Sequence, residues 1–266
     1  MRPATSPHGV DCSAGREPRA VLPNDDTIAR LRTVPTATAK QVLRELGVDR
    51  TFLCGIRWMT AQRRIAGKAR TLRFLPLREG VKPPKPAVNR RLIDTLDRDD
   101  VLVIDAHGCP EGAVLGDMLA ARAHARGAAG VIADGVIRDV EGIRAIGLAV
   151  WAKGTHPDGN ARALLAWDVD VAIACGGALV QPGDYIIADE DGVVVVPPQH
   201  AEALVDRAGE MALEDEFSQE LLREGAALDD AYPLPESKRA DFERFVANQR
   251  AAKSATTSSV PGSSKR

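Results

Sequence analysis

Asp117 and the adjacent pair Arg138-Asp139 are separated by 20 residues. Between them lie an alanine-rich run closed by Gly127, the apolar burst Val131-Ile132-Ala133, and Asp134-Gly135-Val136-Ile137. Two carboxylates and one guanidinium are parts from which a divalent-metal site and an oxyanion site can be built. A helix followed by a short buried strand would carry Asp117 and Arg138-Asp139 to opposite ends of one crossover. In layered α/β folds such ends converge at a cleft.

Each of these residues also has a plainer reading. An Asp after Gly116 at a helix start caps free backbone N–H groups. Alternatively, that helix N-terminus holds a substrate carboxylate on the N–H groups of Met118 and Leu119, while Asp117 holds a water as base. Arg138-Asp139 is either a structural salt bridge, with Asp139 capping the next helix, or a working pair. In the working pair Arg138 grips a carboxylate or enolate oxygen and Asp139 is a hard oxygen ligand to Mg²⁺ or Mn²⁺. Spacing alone leaves both open.

The elements that must position these residues alternate as in a mixed α/β fold. Residues 36–46 read as a helix closed by Gly47, 52–56 and 69–75 as strands, and 82–86 as a Pro-rich connector. A short helix over 89–96 precedes a buried strand at 101–105, marked by its β-branched run. A helix from Gly116-Asp117 to Gly127 leads to a strand at 131–133, a turn at Asp134-Gly135 and a helix at 140–146. Short strands are expected at 148–151, 169–174, 185–188 and 193–196, the last two joined by the hairpin Asp189-Glu190-Asp191-Gly192. A long helix from Pro197-Pro198 to Gly225 would extend about 40 Å.

With 266 residues, one core-bearing domain is expected at 26–235. Flanking it are a disordered extension at 1–25 and a C-terminal extension at 236–266, loose from about 251. A net charge of -2 with scattered basic residues and no interleaved aromatics argues against a nucleic-acid platform. No apolar run approaches the roughly 20 residues of a membrane span, and no h-region opens the chain. A soluble cytoplasmic protein is the expectation.

Other chemistry is poorly represented. Cys12, Cys54, Cys109 and Cys175 form no CxxC pair, against a disulfide framework or structural zinc. The last three read as small core residues, with Cys175 buried and inert. His107, His124 and His156 lack zinc spacing, and GxSxG, Walker A and GxGxxG are absent. Asp189-Glu190-Asp191-Gly192 lacks EF-hand spacing and reads as turn chemistry.

Over residues 36–225 the chain resembles the RraA-like family, which includes 4-hydroxy-4-methyl-2-oxoglutarate aldolases and regulators of ribonuclease E. The resemblance rests on Thr36-Ala37-Thr38, Gly67-Lys68-Ala69-Arg70-Thr71-Leu72, Gly116-Asp117, the run from Gly130 to Asp139, Val180-Gln181-Pro182-Gly183-Asp184 and Ala188-Asp189-Glu190-Asp191-Gly192-Val193. The aldolase branch is marked by Asp-x20-Arg-Asp, the spacing of Asp117 and Arg138-Asp139. The resemblance implies a β/β/α sandwich like the swivelling domains of phosphotransfer proteins, assembled as a homotrimer or homohexamer. It also implies a lyase that releases pyruvate from a 4-hydroxy-2-oxo acid, with oxaloacetate decarboxylation as a related reaction. By resemblance, Asp139 binds Mg²⁺ or Mn²⁺ directly or through water, with Asp117 contributing through water. Arg138 contacts the pyruvate moiety, Asp117 relays protons, and Met118 and Leu119 receive the substrate carboxylate beside Gly116. Glu216, or Glu214, would complete a neighbouring subunit's site. Aldolases of this type often carry an acidic residue where this chain has Gly142, with Glu141 one place early. The competing reading is a non-catalytic binding protein on the same scaffold, regulating a ribonuclease or another partner. A methyltransferase is disfavoured, since no Gly-rich cofactor loop follows a first strand.

Overall fold

The computed structural model describes residues 26–60, 63–82, 85 and 87–257. The expected N-terminal extension and most of the Pro-rich connector therefore lie outside the described residues. The chain begins α1 (Asp26–Leu31), α2 (Thr36–Glu45), β1 (Arg57–Trp58), β2 (Ile65–Pro76), α3 (Val88–Asp94) and β3 (Asp100–Cys109). It continues α4 (Asp117–Ala125), β4 (Gly130–Ile137), α5 (Val140–Ile146), β5 (Val150–Thr155), β6 (Leu164–Val169), β7 (Ile173–Cys175) and β8 (Ala178–Val180). After the hairpin β9 (Tyr185–Ala188) and β10 (Val193–Val196) come α6 (Ala201–Arg223), α7 (Leu228–Ala231) and α8 (Arg239–Thr257).

Strands β2, β3, β4 and β5 run parallel side by side. Every residue of β4 is buried, and β3 is buried from Asp100 to Ala106. Continuous apolar runs of this kind belong to parallel strands covered on both faces. One cover is helical: α3, α4 and α5 pack over Leu102, Ile104, Val131 and Ala133. The other is a second β layer, in which the β7–β8 hairpin lies over Val101, Val103, Ile132 and Trp151. Antiparallel strands finish the main sheet, β1 on β5 and both β6 and β9 on β2. A third cluster joins α1, α2 and α6 to β9–β10. The result is the expected layered α/β fold, a β/β/α arrangement.

Three local readings need correction. The strand expected at 52–56 reduces to a bridge from Phe52 to Val194, followed by a turn before β1. Asp134-Gly135 is not a turn, because β4 runs unbroken through it to Ile137. Asp134 is buried within the sheet, where its carboxylate accepts from the Gly176 N–H (2.9 Å) and pairs with Lys153 Nζ (2.6 Å). Gly135 is required by space, since a Cβ there would lie 2.8 Å from that of Ala106. The strand expected at 169–174 instead divides into β6 and β7, with the left-handed Asp170 between them. In the C-terminal extension α8 runs on to Thr257, through a stretch whose composition reads as loose. Phe242 and Phe245 of α8 pack on Phe217 of α6, with ring centroids 5.8 and 5.3 Å away.

The Asp134–Lys153 pair holds β4 and β5 together near the end that carries Arg138. Lys153→Met removes the cation and leaves a buried carboxylate, a change that costs several kcal/mol at fully buried pairs. Lys153 keeps a third of its side chain in water, so screening reduces the expected loss to about 1–3 kcal/mol. Chemical denaturation checks this. Asp134→Asn added to Lys153→Met should recover part of the loss, and a second loss of equal size would deny the coupling.

Candidate active site

The turn that follows β3 is sutured to the end of β4. Val114 N–H donates to Val136 O (2.9 Å), and Arg138 N–H donates to Leu115 O (3.0 Å). Ala113 is tied to the segment beyond β5, through its N–H to Asp158 O (2.8 Å) and a bridge to Gly159. These backbone bonds set Gly116-Asp117 beside Arg138-Asp139, so the two ends of the crossover do converge. Between them opens a cleft of about 490 Å³, lined by residues 113–119, Arg138, Gly159, Asn160, Asn89 and Arg90.

Arg138 and Asp139 are the first exposed residues after the buried strand, and they face each other with Nε to Oδ2 at 3.2 Å. Their side chains are 46 % and 42 % exposed. An ion pair this wet contributes little to stability, so stability is a weak reason for its presence. Asp139 stands at the N-cap position of α5 as expected, yet its side chain makes no capping hydrogen bond there. Its backbone is left-handed, with φ 56° and ψ 38°. Asp tolerates that conformation better than most residues, and it aims the carboxylate at Arg138 rather than along the helix.

Asp117 is the first residue of α4, and Gly116 is the cap. Asp117 Oδ1 accepts from the Met118 N–H at 2.7 Å. One of the two N–H groups expected to receive a substrate carboxylate is therefore engaged by a protein carboxylate here. The first intrahelical bond joins Ala120 N–H to Gly116 O (3.0 Å), so the Leu119 N–H belongs to the turn that lacks helical acceptors. The Met118 side chain is 78 % exposed at the cleft.

Three glycines give these side chains room. A Cβ on Gly116 would lie 2.8 Å from Asp139 Oδ2 and 3.1 Å from Arg138 Nε. One on Gly142 would meet Asp117 Cβ at 3.2 Å, and one on Gly159 would meet Arg138 Nη1 at 3.5 Å. Gly142, the departure from the aldolase pattern, thus lies against Asp117 itself. Gly116 has φ −132° and ψ 179°, open to any residue, so Gly116→Ala should fold normally. The added methyl must displace the Arg138–Asp139 pair, and about a ten- to hundredfold loss of turnover is expected for a misplacement near 1 Å. Steady-state kinetics beside a thermal melt check it; unchanged turnover would separate the pair from catalysis.

Glu214 and Glu216 lie elsewhere. Within the chain Glu214 pairs with Arg239 of α8 (2.9 Å) and Glu216 accepts from Gln249 (3.2 Å), and neither lines this cleft. Among the described residues no group of three or more His, Cys, Asp or Glu could hold a metal. Of the described thiols, burial pushes Cys175 well above its usual range, reinforced by the Asp134 and Asp105 carboxylates, whereas Cys54, expected in the core, is exposed and Cys109 is half-buried. Arg90 and Asn160 line the cleft without having been singled out from sequence. Arg90 sits in a short helix without a motif, and only the packing of α3 beside the cleft reveals it.

Comparison with known proteins decides the family. Residues 35–195, more than half the chain, match the family model described as RraA-like, Aldolase/RraA. The chain belongs to the RraA-like family. Among its relatives is a protein of Halalkalibacterium halodurans named "Putative 4-hydroxy-4-methyl-2-oxoglutarate aldolase". It is 28% identical over 207 residues, covering 78% of this chain and 93% of its own. A Hahella chejuensis protein of the same name is 40% identical over 111 residues, 42% of this chain and 67% of that one. The crystal structure of Streptomyces coelicolor RraAS2, described as an unusual member of the RNase ES inhibitor RraA protein family, superposes with a TM-score of 0.69. It is 37% identical and covers 74% of this chain and 97% of that one. The RraA-like family thus includes relatives named as aldolases and relatives described through ribonuclease inhibition. Among the described residues, no helix is long and apolar enough to cross a membrane.

Proposed function

We propose that the protein is a divalent-metal-dependent lyase that releases pyruvate from a 4-hydroxy-2-oxo acid by retro-aldol cleavage, with oxaloacetate decarboxylation within reach of the same site. The observation that carries this reading is the half-exposed Arg138–Asp139 pair beside Asp117, framed by Gly116, Gly142 and Gly159. Its donor set fits a hydrated hard cation. Mg²⁺ is held by one or two carboxylates and keeps several waters, and Asp139 with Asp117 supplies that number. A cation held by Asp139, and through water by Asp117, would supply Lewis-acid polarisation of the 2-oxo group.

The chain's own groups do the rest. Arg138 grips the carboxylate or oxo oxygen of the pyruvate unit with a rigid fork and stabilises charge as it develops there. Asp117, acting through a water, removes the proton from the C4 hydroxyl. The C4 oxygen becomes a carbonyl, the C3–C4 bond breaks, and its electron pair forms the enolate of pyruvate. The same water returns a proton to C3. In the same cleft Arg90 offers a second cation, which suits a substrate bearing a further carboxylate. We assign the substrate to that class. In the proposed homotrimer or homohexamer, Glu216 or Glu214 would reach a neighbour's site, which requires release from Gln249 or Arg239.

The second reading, a non-catalytic regulator, draws on the likeness to RraAS2. A pyruvate-release assay coupled to lactate dehydrogenase separates the two. A panel of 4-hydroxy-2-oxo acids and oxaloacetate, with and without EDTA, should give metal-dependent pyruvate from at least one member. No pyruvate from any substrate would favour the regulator.

A further inference from the structure

At the opposite end of the parallel strands lies a second cavity, of about 580 Å³. Its walls carry five arginines, Arg32, Arg63, Arg64, Arg98 and Arg126, with His124. They come from the turn after α1, the entry to β2, the turn before β3 and the end of α4. Basic side chains at the end of a helix answer its carbonyl dipole, which accounts for His124 and Arg126. Arg32, closing the last turn of α1, is accounted for in the same way; Arg63, Arg64 and Arg98 are not.

Acidic partners hold these guanidiniums in place without neutralising them. Arg32 pairs with Asp99 (2.7 Å), which Arg98 also approaches (3.7 Å). Arg64 pairs with Asp189 (3.4 Å) and Arg126 with Asp97 (3.9 Å). Backbone carbonyls take further donors, Thr33 O from Arg64 (2.8 Å) and Leu96 O from Arg126 (2.9 Å). The cavity lining carries five arginines and one carboxylate, Asp99, while Asp189, Glu190 and Asp191 share a neighbouring pocket with Arg63 and Arg64, in a chain whose net charge is -2. Gly127, Ala128 and Ala129 line the wall with almost no side chain, which lets a ligand approach closely.

We propose that this cavity is a binding site for a compact polyanion carrying two or more phosphate or carboxylate groups. Arginine forks match both oxyanions. Arg98, 88 % exposed, carries its charge into the cavity, Arg32, Arg64 and Arg126 form a fixed wall, and Arg63 stands between the cavity and the acidic hairpin. The site is separate from the Asp117–Asp139 cleft, to which α4 connects it.

Titration calorimetry on the full chain, at ionic strength held constant with sodium chloride, tests this with pyrophosphate and citrate as probes. One equivalent of at least one probe should bind per chain, and the preference between them identifies phosphate or carboxylate as the recognised group. The double variant Arg63→Gln, Arg98→Gln should weaken binding at least about tenfold, as expected for two lost charge-assisted contacts. Arg98→Glu alone, at an exposed position, should act in the same direction. Arg138→Gln should bind as the unmodified chain does. No saturable binding of either probe, equal affinity in the Arg63/Arg98 variants, or loss of binding in Arg138→Gln would overturn the proposal.

Discussion

Arg138→Lys is expected to lower kcat for pyruvate release by about a hundred- to a thousandfold, the usual consequence of removing one preorganised donor to a developing oxyanion. Charge is conserved in this change, so the loss reports geometry. Arg138 is placed by its own N–H on Leu115 O, by its Nε against Asp139, and by the open face of Gly159 next to its Nη1. A lysine ammonium is a point charge on a flexible stem and cannot reproduce a planar fork held on two edges. The loss should fall on kcat more than on KM, because the interaction strengthens as the enolate forms. A change confined to KM would make Arg138 a ground-state binding group only. Since the pair is half-exposed, the melting midpoint should hardly move.

Asp139→Asn should remove metal-dependent turnover, with a loss of about a thousandfold or more expected if the carboxylate anchors the cation. Asparagine is the cleaner probe because residue 139 is left-handed. Asn accepts that conformation, whereas Asp139→Ala adds backbone strain of about 1–2 kcal/mol. Asp139→Ala should be equally inactive and measurably less stable. The pair of variants therefore separates the carboxylate's chemistry from its conformation. Full activity in either would reject the assignment.

The parts of the fold that sequence made legible are those whose signals are local. The β-branched run at 101–105 and the burst Val131-Ile132-Ala133 read as buried strands, and the parallel core is built on them. Gly127 closes α4, and the acidic hairpin between β9 and β10 forms where turn residues cluster. Asp134-Gly135 misled because the dipeptide is a turn signal in isolation. Its actual partners, Lys153, Gly176 and Ala106, come from β5, the turn after β7, and β3. β6 was hidden in the same way: its place is set by pairing with β2, where Arg73 meets Asp168, a contact that no window of sequence contains.

The candidate site divides along the same line. Asp117 and Arg138-Asp139 are visible because one crossover carries all three, and the Asp-x20-Arg-Asp spacing carries their proposed roles by resemblance. The Met118 N–H, expected at the substrate, is instead held by Asp117. Arg90 and Asn160 reach the cleft only through packing of α3 and of the turn near Gly159. Gly142 read as a missing acid; its bare Cα against Asp117 shows a position that shapes the site by having no side chain.

The central claim is that this site stabilises the enolate of pyruvate, and that can be measured without knowing the natural substrate. Pyruvate is incubated in D₂O with the protein and Mg²⁺ or Mn²⁺, and loss of its methyl proton signal is followed by NMR. Exchange well above buffer, abolished by EDTA and by Asp139→Asn, is the predicted result. Exchange no faster than in buffer with metal alone would contradict the account.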